Sequence, residues 1–208
     1  RLGGSILRNK YNRDQTRADS LVYPGVYSFA NTAGVLLSLP YNSQYAINSF
    51  YGLITTAYKN YLFLDLTGRN DWTSTLATPI RTTNAGFFYP SANVSFVLSD
   101  AFKMPEKISF AKLRLSASGV GSGGTDPYLT SFNYTSAGSL FGGALQNPSS
   151  LANPDLKPLK TITFETGLNI AFFQNRLTLD LALYNGNTKN QILSRIIDRA
   201  SGFSTATV

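Results

Sequence analysis

The sequence of 208 residues has no histidine, no cysteine, one methionine and one tryptophan. The missing imidazoles and thiols exclude Ser-His-Asp and Cys-His catalysis, histidine or thiolate metal centres, and disulfides. Charge is scarce as well: 14% of the residues are charged, against roughly 25% in an average soluble domain. No run approaches the ~20 consecutive apolar residues of a membrane-spanning helix, and no apolar signal-peptide core follows the opening Arg1-Leu2-Gly3-Gly4. The 18 Lys and Arg exceed the 11 Asp and Glu, giving a net charge of +7. They stand singly along the chain, without the basic run or stripe that a nucleic acid demands, so no nucleic-acid partner is expected.

What the chain does have is apolar and aromatic side chains in alternation. Hydrophobic residues make up 43%, and Tyr and Phe number 12 and 14. Leu62, Leu64 and Leu66 share one face of an extended segment, with Asp65 and Thr67 on the other, the period of two that marks a strand. Leu177, Leu179, Leu181 and Leu183 are opposed by Thr178, Asp180, Ala182 and Tyr184. Ala111, Leu113, Leu115 and Ala117 are opposed by Lys112, Arg114, Ser116 and Ser118. Ile162, Phe164, Leu168 and Ile170 face away from Thr161, Thr163, Glu165 and Asn169, and Ala92, Val94, Phe96 and Leu98 away from Ser91, Asn93 and Ser95. Ala46 to Tyr58 is strand-like, with no settled phase.

The connections differ in length. Tyr58-Lys59-Asn60-Tyr61 and Phe173-Gln174-Asn175-Arg176 read as tight hairpin turns. Ser99 to Lys107 reads as a longer turn on the same side. Gly68 to Tyr89 and Gly119 to Lys160 are long loops. With antiparallel neighbours, short turns collect at one end of the sheet and long loops at the other, as in a transmembrane β-barrel. A soluble β-sandwich that binds glycans, such as an adhesin module, also alternates, but it buries its leucine face against a second sheet.

Two features favour the barrel. Asp65, Lys112, Arg114, Glu165 and Asp180 are ionised residues in mid-strand on the polar face, where a water-filled lumen accommodates them. Tyr58, Tyr61, Phe87, Phe88, Tyr89, Phe172, Phe173 and Tyr184 gather near strand ends, where an interfacial girdle would place them. The expected fold is therefore all-β: antiparallel strands of a transmembrane β-barrel with long extracellular loops and short periplasmic turns.

Motifs for other chemistry fail on their context. Gly119-Val120-Gly121-Ser122-Gly123-Gly124 matches G-x-G-x-x-G, but no helix signal follows and no acidic residue stands near Ser139 to Leu145, so it reads as a flexible loop. Asn93-Val94-Ser95 and Asn133-Tyr134-Thr135 match the glycosylation sequon by composition alone. A hydrolase would need two close carboxylates. Asp65, Glu165 and Asp180 are better read as charges spread along a lumen wall, balanced by Arg114 or Lys112. No catalytic residue, metal site or cofactor is expected.

Arg69-Asn70-Asp71-Trp72 stands where a strand runs into a long loop. It combines directional hydrogen-bonding groups with a flat apolar face, as a sugar or peptide site does. The alternative is an Asx-type turn with Trp72 anchoring the loop at the lipid interface. Asp126 and Tyr128, in the second long loop, are further candidates for ligand contact.

Three separated motifs carry a family resemblance. They are Tyr58-Lys59-Asn60-Tyr61-Leu62-Phe63-Leu64-Asp65 continuing through Thr67-Gly68-Arg69-Asn70-Asp71-Trp72; Asn153-Pro154-Asp155-Leu156-Lys157-Pro158 with Lys160-Thr161; and Phe172 to Asp180 with Tyr184-Asn185, Asn187 to Leu193 and Ala200-Ser201-Gly202-Phe203. In these the sequence resembles the barrel of SusC/RagA-type TonB-dependent outer-membrane transporters.

The resemblance implies a 22-stranded barrel with an internal plug, in the outer membrane of a Gram-negative cell. It implies import of oligosaccharides or peptides driven by TonB, and a SusD-like surface lipoprotein as partner. Outer-membrane lipid and lipopolysaccharide would surround it. On this reading residues 1–208 form about seven or eight strands of a single barrel domain. The plug, signal peptide and TonB-contacting segment lie outside them, and Val208 is not the terminal aromatic of a closing strand.

Overall fold

The computed structural model describes residues 1–136 and 144–208. Seven long antiparallel strands form one sheet in which spatial order follows chain order. They are β1 (Leu2–Arg13), β2 (Tyr41–Tyr58), β3 (Leu62–Thr73), β4 (Gly86–Val97), β5 (Ile108–Ser122), β6 (Leu159–Phe172) and β7 (Leu177–Lys189). β1 and β7 are the two edges, so the sheet is open among the described residues. Strands of 12 to 18 residues rise roughly 3.3 Å per residue, and at a tilt near 45° they cover the ~25 Å apolar band of an outer membrane.

The short turns all lie at one end. Lys59 and Asn60 have φ of 48° and 60°, and the Tyr61 amide bonds the Tyr58 carbonyl at 3.3 Å, which is the type I′ geometry that matches strand twist. Phe173, Gln174 and Asn175 are also left-handed and close β6–β7. Between β4 and β5 a single helical turn, Leu98–Ala101, leads into the return. The long connections gather at the other end, between β1 and β2, β3 and β4, and β5 and β6.

Those long segments and the residues after β7 add short strand pairings of their own. Thr16–Arg17 pairs with Leu37–Ser38, Thr135–Ser136 with Leu145–Gln146, and Thr205–Thr207 joins Ser194–Ile196 and Ser150–Leu151. A compact core forms here around Leu76, 2% exposed, with Ala85, Leu156, Thr73, Thr75 and Thr130. The Thr75 hydroxyl donates to the Gly123 carbonyl at 2.8 Å, the Thr130 hydroxyl to the Ala77 carbonyl at 2.7 Å, and Asn84 Nδ2 to the Leu156 carbonyl at 2.9 Å. Polar loop atoms buried without water need these partners, and in finding them the β3–β4 and β5–β6 connections become one body.

The sheet has two unlike faces. Residues opposite one another across an antiparallel ladder share a face. Ile54, Leu66 and Ala92 thus form one row, and Leu113, Leu168 and Leu181 another. Nothing in the described chain seals this apolar face: Leu66, Leu115, Phe164, Leu179 and Leu181 are all exposed, and Leu183 is 77% exposed. A soluble sandwich would have buried it.

Three expectations about local structure need correction. The region expected to loop from Gly68 is strand up to Thr73, and β4 already begins at Gly86. Their ladder, pairing Gly68 with Pro90 and Trp72 with Gly86, supplies backbone partners that a loop would lack. The glycine run is not a loop at its start either, because Gly119 to Ser122 complete β5 against β6; of the segment Ser139 to Leu145 weighed for a following carboxylate, residues 139–143 lie outside the described ones. Finally, Phe87, Tyr89 and Tyr184 share a face with Asp71, Arg69 and Glu165, so they belong to the polar side. Tyr58 and Phe96 remain on the apolar face at the short-turn end, packed edge-on with Tyr61.

Candidate functional site

Asp65, Lys112, Arg114, Glu165 and Asp180 all lie on the polar face. The register links Asp65 to Asn93, Asn93 to Ser116 and Ser116 to Glu165, while Lys112 meets Asn169, which meets Asp180. Arg114 Nη2 donates to Asp180 Oδ1 at 2.7 Å, and Asn169 Nδ2 to Asp180 Oδ2 at 3.1 Å. Among the described residues Asp65 and Glu165 have no ion pair within 4.0 Å. Three inter-strand steps separate those two carboxylates, roughly 14 Å at the usual strand spacing, beyond the 5–9.5 Å of a glycosidase pair.

The six loop candidates do not converge. β3 carries Arg69 and Asp71 to the polar face and Asn70 and Trp72 to the opposite one, because successive residues of a strand alternate. Trp72 is 49% exposed and lies against Gly86, where even a methyl group would come within 2.9 Å of the indole. This favours the interface-anchor reading of Trp72. Tyr128, with φ of +70°, sits away from this cluster, its hydroxyl accepting from the Gln44 amide at 3.2 Å. Asp126 is exposed.

Around Arg69 and Asp71 the strands assemble a polar cluster that the sequence did not disclose. Asp71, 7% exposed, accepts from Arg69 Nε at 2.7 Å and from the Tyr89 hydroxyl at 2.5 Å. Arg69 Nη2 also donates to Ser49 Oγ at 3.0 Å, and its guanidinium carbon stands 5.9 Å from the Tyr51 ring centroid. Phe87 and Tyr89 stack beside them at 6.0 Å. The Arg69 side chain stays 40% exposed. Its fork is thus fixed on one side and free on the other, next to two flat aromatic surfaces, an arrangement able to hydrogen-bond and stack on a polar ligand. Ser49, Tyr51 and Tyr89 were missed as site residues. For Ser49 and Tyr51 the signal was blurred, since β2 alternates poorly; for Tyr89 it was present, as an aromatic two residues from a second one in a β-rich segment.

An antiparallel sheet with one apolar and one polar face, short turns at one end and interlocked long loops at the other, is a segment of an outer-membrane-type β-barrel. The chain belongs to the TonB-dependent receptor-like β-barrel family, whose signature it matches over residues 3–208. It is 30% identical over 168 residues to TonB-dependent receptor P26 of Formosa agariphila, covering 78% of this chain and 17% of that protein. To TonB-dependent receptor P3 of the same organism it is 24% identical over 212 residues, covering 98% of this chain and 21% of the relative. The chain therefore spans about a fifth of the length of these relatives. In fold it is similar to the RagAB peptide transporter, with a TM-score of 0.77 at 20% identity over 99% of this chain and 23% of the other. An "open-open" RagAB peptide importer structure gives 0.74 at 22% identity, with the same coverage.

Proposed function

We propose that this chain is part of the wall and extracellular loops of an outer-membrane nutrient importer of a Gram-negative cell, powered by TonB through a segment outside residues 1–208. The single observation that carries this reading is the open apolar face: side chains such as Leu66, Leu115, Leu179 and Leu181 are left exposed by the chain that bears them. Hydrocarbon tails complete that face, and the opposite face, with Asp65, Lys112, Arg114, Glu165 and Asp180, lines a wet lumen. The family is one of receptors rather than enzymes, and the wide spacing of the carboxylates agrees with that.

The cargo is an oligosaccharide or a peptide. A SusD-like surface lipoprotein caps the long-loop end, and lipopolysaccharide surrounds the wall. Ligand contact falls to Arg69, Tyr51, Phe87 and Tyr89 on the polar face, with Asp126 in the loops above as a further contact. Trp72 serves instead as an anchor at the interface.

The test is single-cysteine labelling in the full-length receptor in cells, since this segment has no native thiol. Cysteines at Leu64 and Leu181 should react with lipid-soluble probes. Cysteines at Ser116 and Thr163, on the polar face, should react with small water-soluble maleimides. Leu64 and Leu181 shielded from both probes would point to a globular core and reject the proposal.

A further inference from the structure

The apolar face changes character abruptly along β1. Leu2, Gly4 and Ile6 occupy successive positions on it, and the next two are Arg8 and Lys10. The register fixes their height. Ile6 lies opposite Asn48, and Asn48 opposite Trp72, so Ile6 and Trp72 share a row. Arg8, opposite Ala46, is one row further toward the long loops, a step of roughly 7 Å along the strand. A Trp in the girdle marks the boundary between acyl chains and headgroups. Arg8 and Lys10 then stand at headgroup height, on the membrane side of the wall.

At that height the chain forms a cleft of about 630 Å³, within the usual size range of ligand pockets. One side is the Arg8, Lys10 and Gln44 surface of β1 and β2; the other is Ser74 with Pro127 and Tyr128 from the long connections. Hydrogen bonds tie the two sides of the cleft together. Beyond the end of the β2–β3 ladder, the Gln44 amide donates to the Tyr128 hydroxyl and the Ala46 amide to Ser74 Oγ at 2.9 Å. Arg8 Nη1 is steadied by Asn48 Oδ1 at 3.0 Å.

Its charge is unbalanced. Among the described residues no carboxylate lines this cleft or the smaller one that adjoins it at Lys10 and Gln44. By contrast, Arg69 and Arg114 on the polar face already hold Asp71 and Asp180. Among the described residues Arg8 and Lys10 have no acidic partner within 4.0 Å.

We propose that this cleft binds the phosphorylated sugar headgroup of an outer-leaflet glycolipid, with Arg8 and Lys10 on the phosphate and Gln44, Ser74 and Tyr128 within reach of the sugar hydroxyls. Arginine and lysine are suited to phosphate as a planar fork and a point charge respectively, and basic pockets at headgroup level are a general means of holding anionic lipid. The source is a membrane lipid rather than free phosphate, because the cations continue the lipid-facing row of Leu2 and Ile6. The inference rests on the barrel-wall reading, deepening it from general contact with lipopolysaccharide to a defined site.

The test uses the full-length receptor purified in mild detergent and titrated with bisphosphorylated lipid A, dephosphorylated lipid A and inorganic phosphate. Binding of bisphosphorylated lipid A should weaken at least tenfold in an Arg8→Gln/Lys10→Gln double variant. It should be kept by Arg8→Lys and by Lys59→Gln at the opposite end of the wall. Dephosphorylated lipid A should bind poorly, and millimolar phosphate should not displace the lipid. Equal affinity in the double variant, or indifference to the lipid's phosphates, would overturn the proposal, and displacement by phosphate would point to a free anion instead. Membrane fractionation and heat-dependent gel mobility keep the two readings apart. A double variant that inserts and folds normally yet binds lipid A as before rejects the cleft alone, whereas a wild-type receptor absent from the outer membrane rejects the barrel wall itself.

Discussion

Arg114 on β5 reaches Asp180 on β7 across the whole width of the intervening strand, closing at 2.7 Å. The passage lies over Gly167, Arg114's direct partner on β6. A Cβ there would fall 2.8 Å from Arg114 Nε. That close approach, rather than any turn, is what a glycine in mid-strand provides here.

Gly167→Val should therefore cost more than removing the charge it admits. Overpacking and displacement of Arg114 amount to about 1–3 kcal/mol. Asp180→Asn removes a half-exposed pair worth about 0.2–1 kcal/mol. Urea unfolding of the full-length receptor in detergent should rank the two in that order.

Trp72→Ala should lower stability by about 1–2 kcal/mol through lost contact with Gly86 and the interface, with Trp72→Phe recovering most of it. Uptake per correctly inserted receptor should not change. Arg69→Ala or Tyr51→Ala should instead reduce uptake about tenfold or more with insertion intact. Uptake normalised to surface-exposed receptor separates the two groups, and a specific loss of transport in Trp72→Ala would return that residue to the ligand site.

Asp71→Ala strands the Arg69 fork and the Tyr89 hydroxyl together, at a cost of about 1–3 kcal/mol. Tyr89→Phe removes one bond and should cost about 1 kcal/mol. Because both act on the same carboxylate, the double variant should be less destabilised than the sum. A double-mutant cycle on unfolding midpoints measures the difference, and strict additivity would mean that the cluster is not a unit.

Asn60 holds φ of +60° in the β2–β3 turn. Asn60→Gly should be neutral to slightly stabilising, while Asn60→Val should cost about 1–2 kcal/mol, since a branched side chain resists the left-handed region. Refolding yield of the barrel should follow the same order.

The 208-residue segment on its own should not persist as an inserted monomer. β1 and β7 each present a row of unpaired backbone groups that lipid cannot satisfy. Size-exclusion chromatography in detergent should show edge-joined oligomers or aggregate; a stable heat-resistant monomer would mean that the sheet closes on itself.

Much of the wall is legible in the sequence alone. The leucine alternation of Leu62–Leu66 and Leu177–Leu183 marked the strands and their two faces, and Lys59-Asn60 and Gln174-Asn175 marked the tight turns. Strand ends were harder. Gly68 to Thr73 mixes glycine with polar residues and looks like loop by composition, yet it stays extended because β2 and β4 both offer ladder partners. Phe87 and Tyr89 looked like girdle residues because aromatics serve both faces, and only the ladder shows that they stand with Asp71.

Side-chain chemistry and period-two alternation are local properties, so the sequence by itself determined an all-β chain with one face for lipid and one for water. Which distant residues meet is not local. Arg114 with Asp180, Arg69 with Ser49, and Arg8 one row above Trp72 all depend on inter-strand register. A shift of one residue in a single ladder would turn a whole strand's side chains to the other face. The tertiary structure decided that register, because only the assembled sheet pairs the inner strands' backbones on both sides while keeping each face consistent.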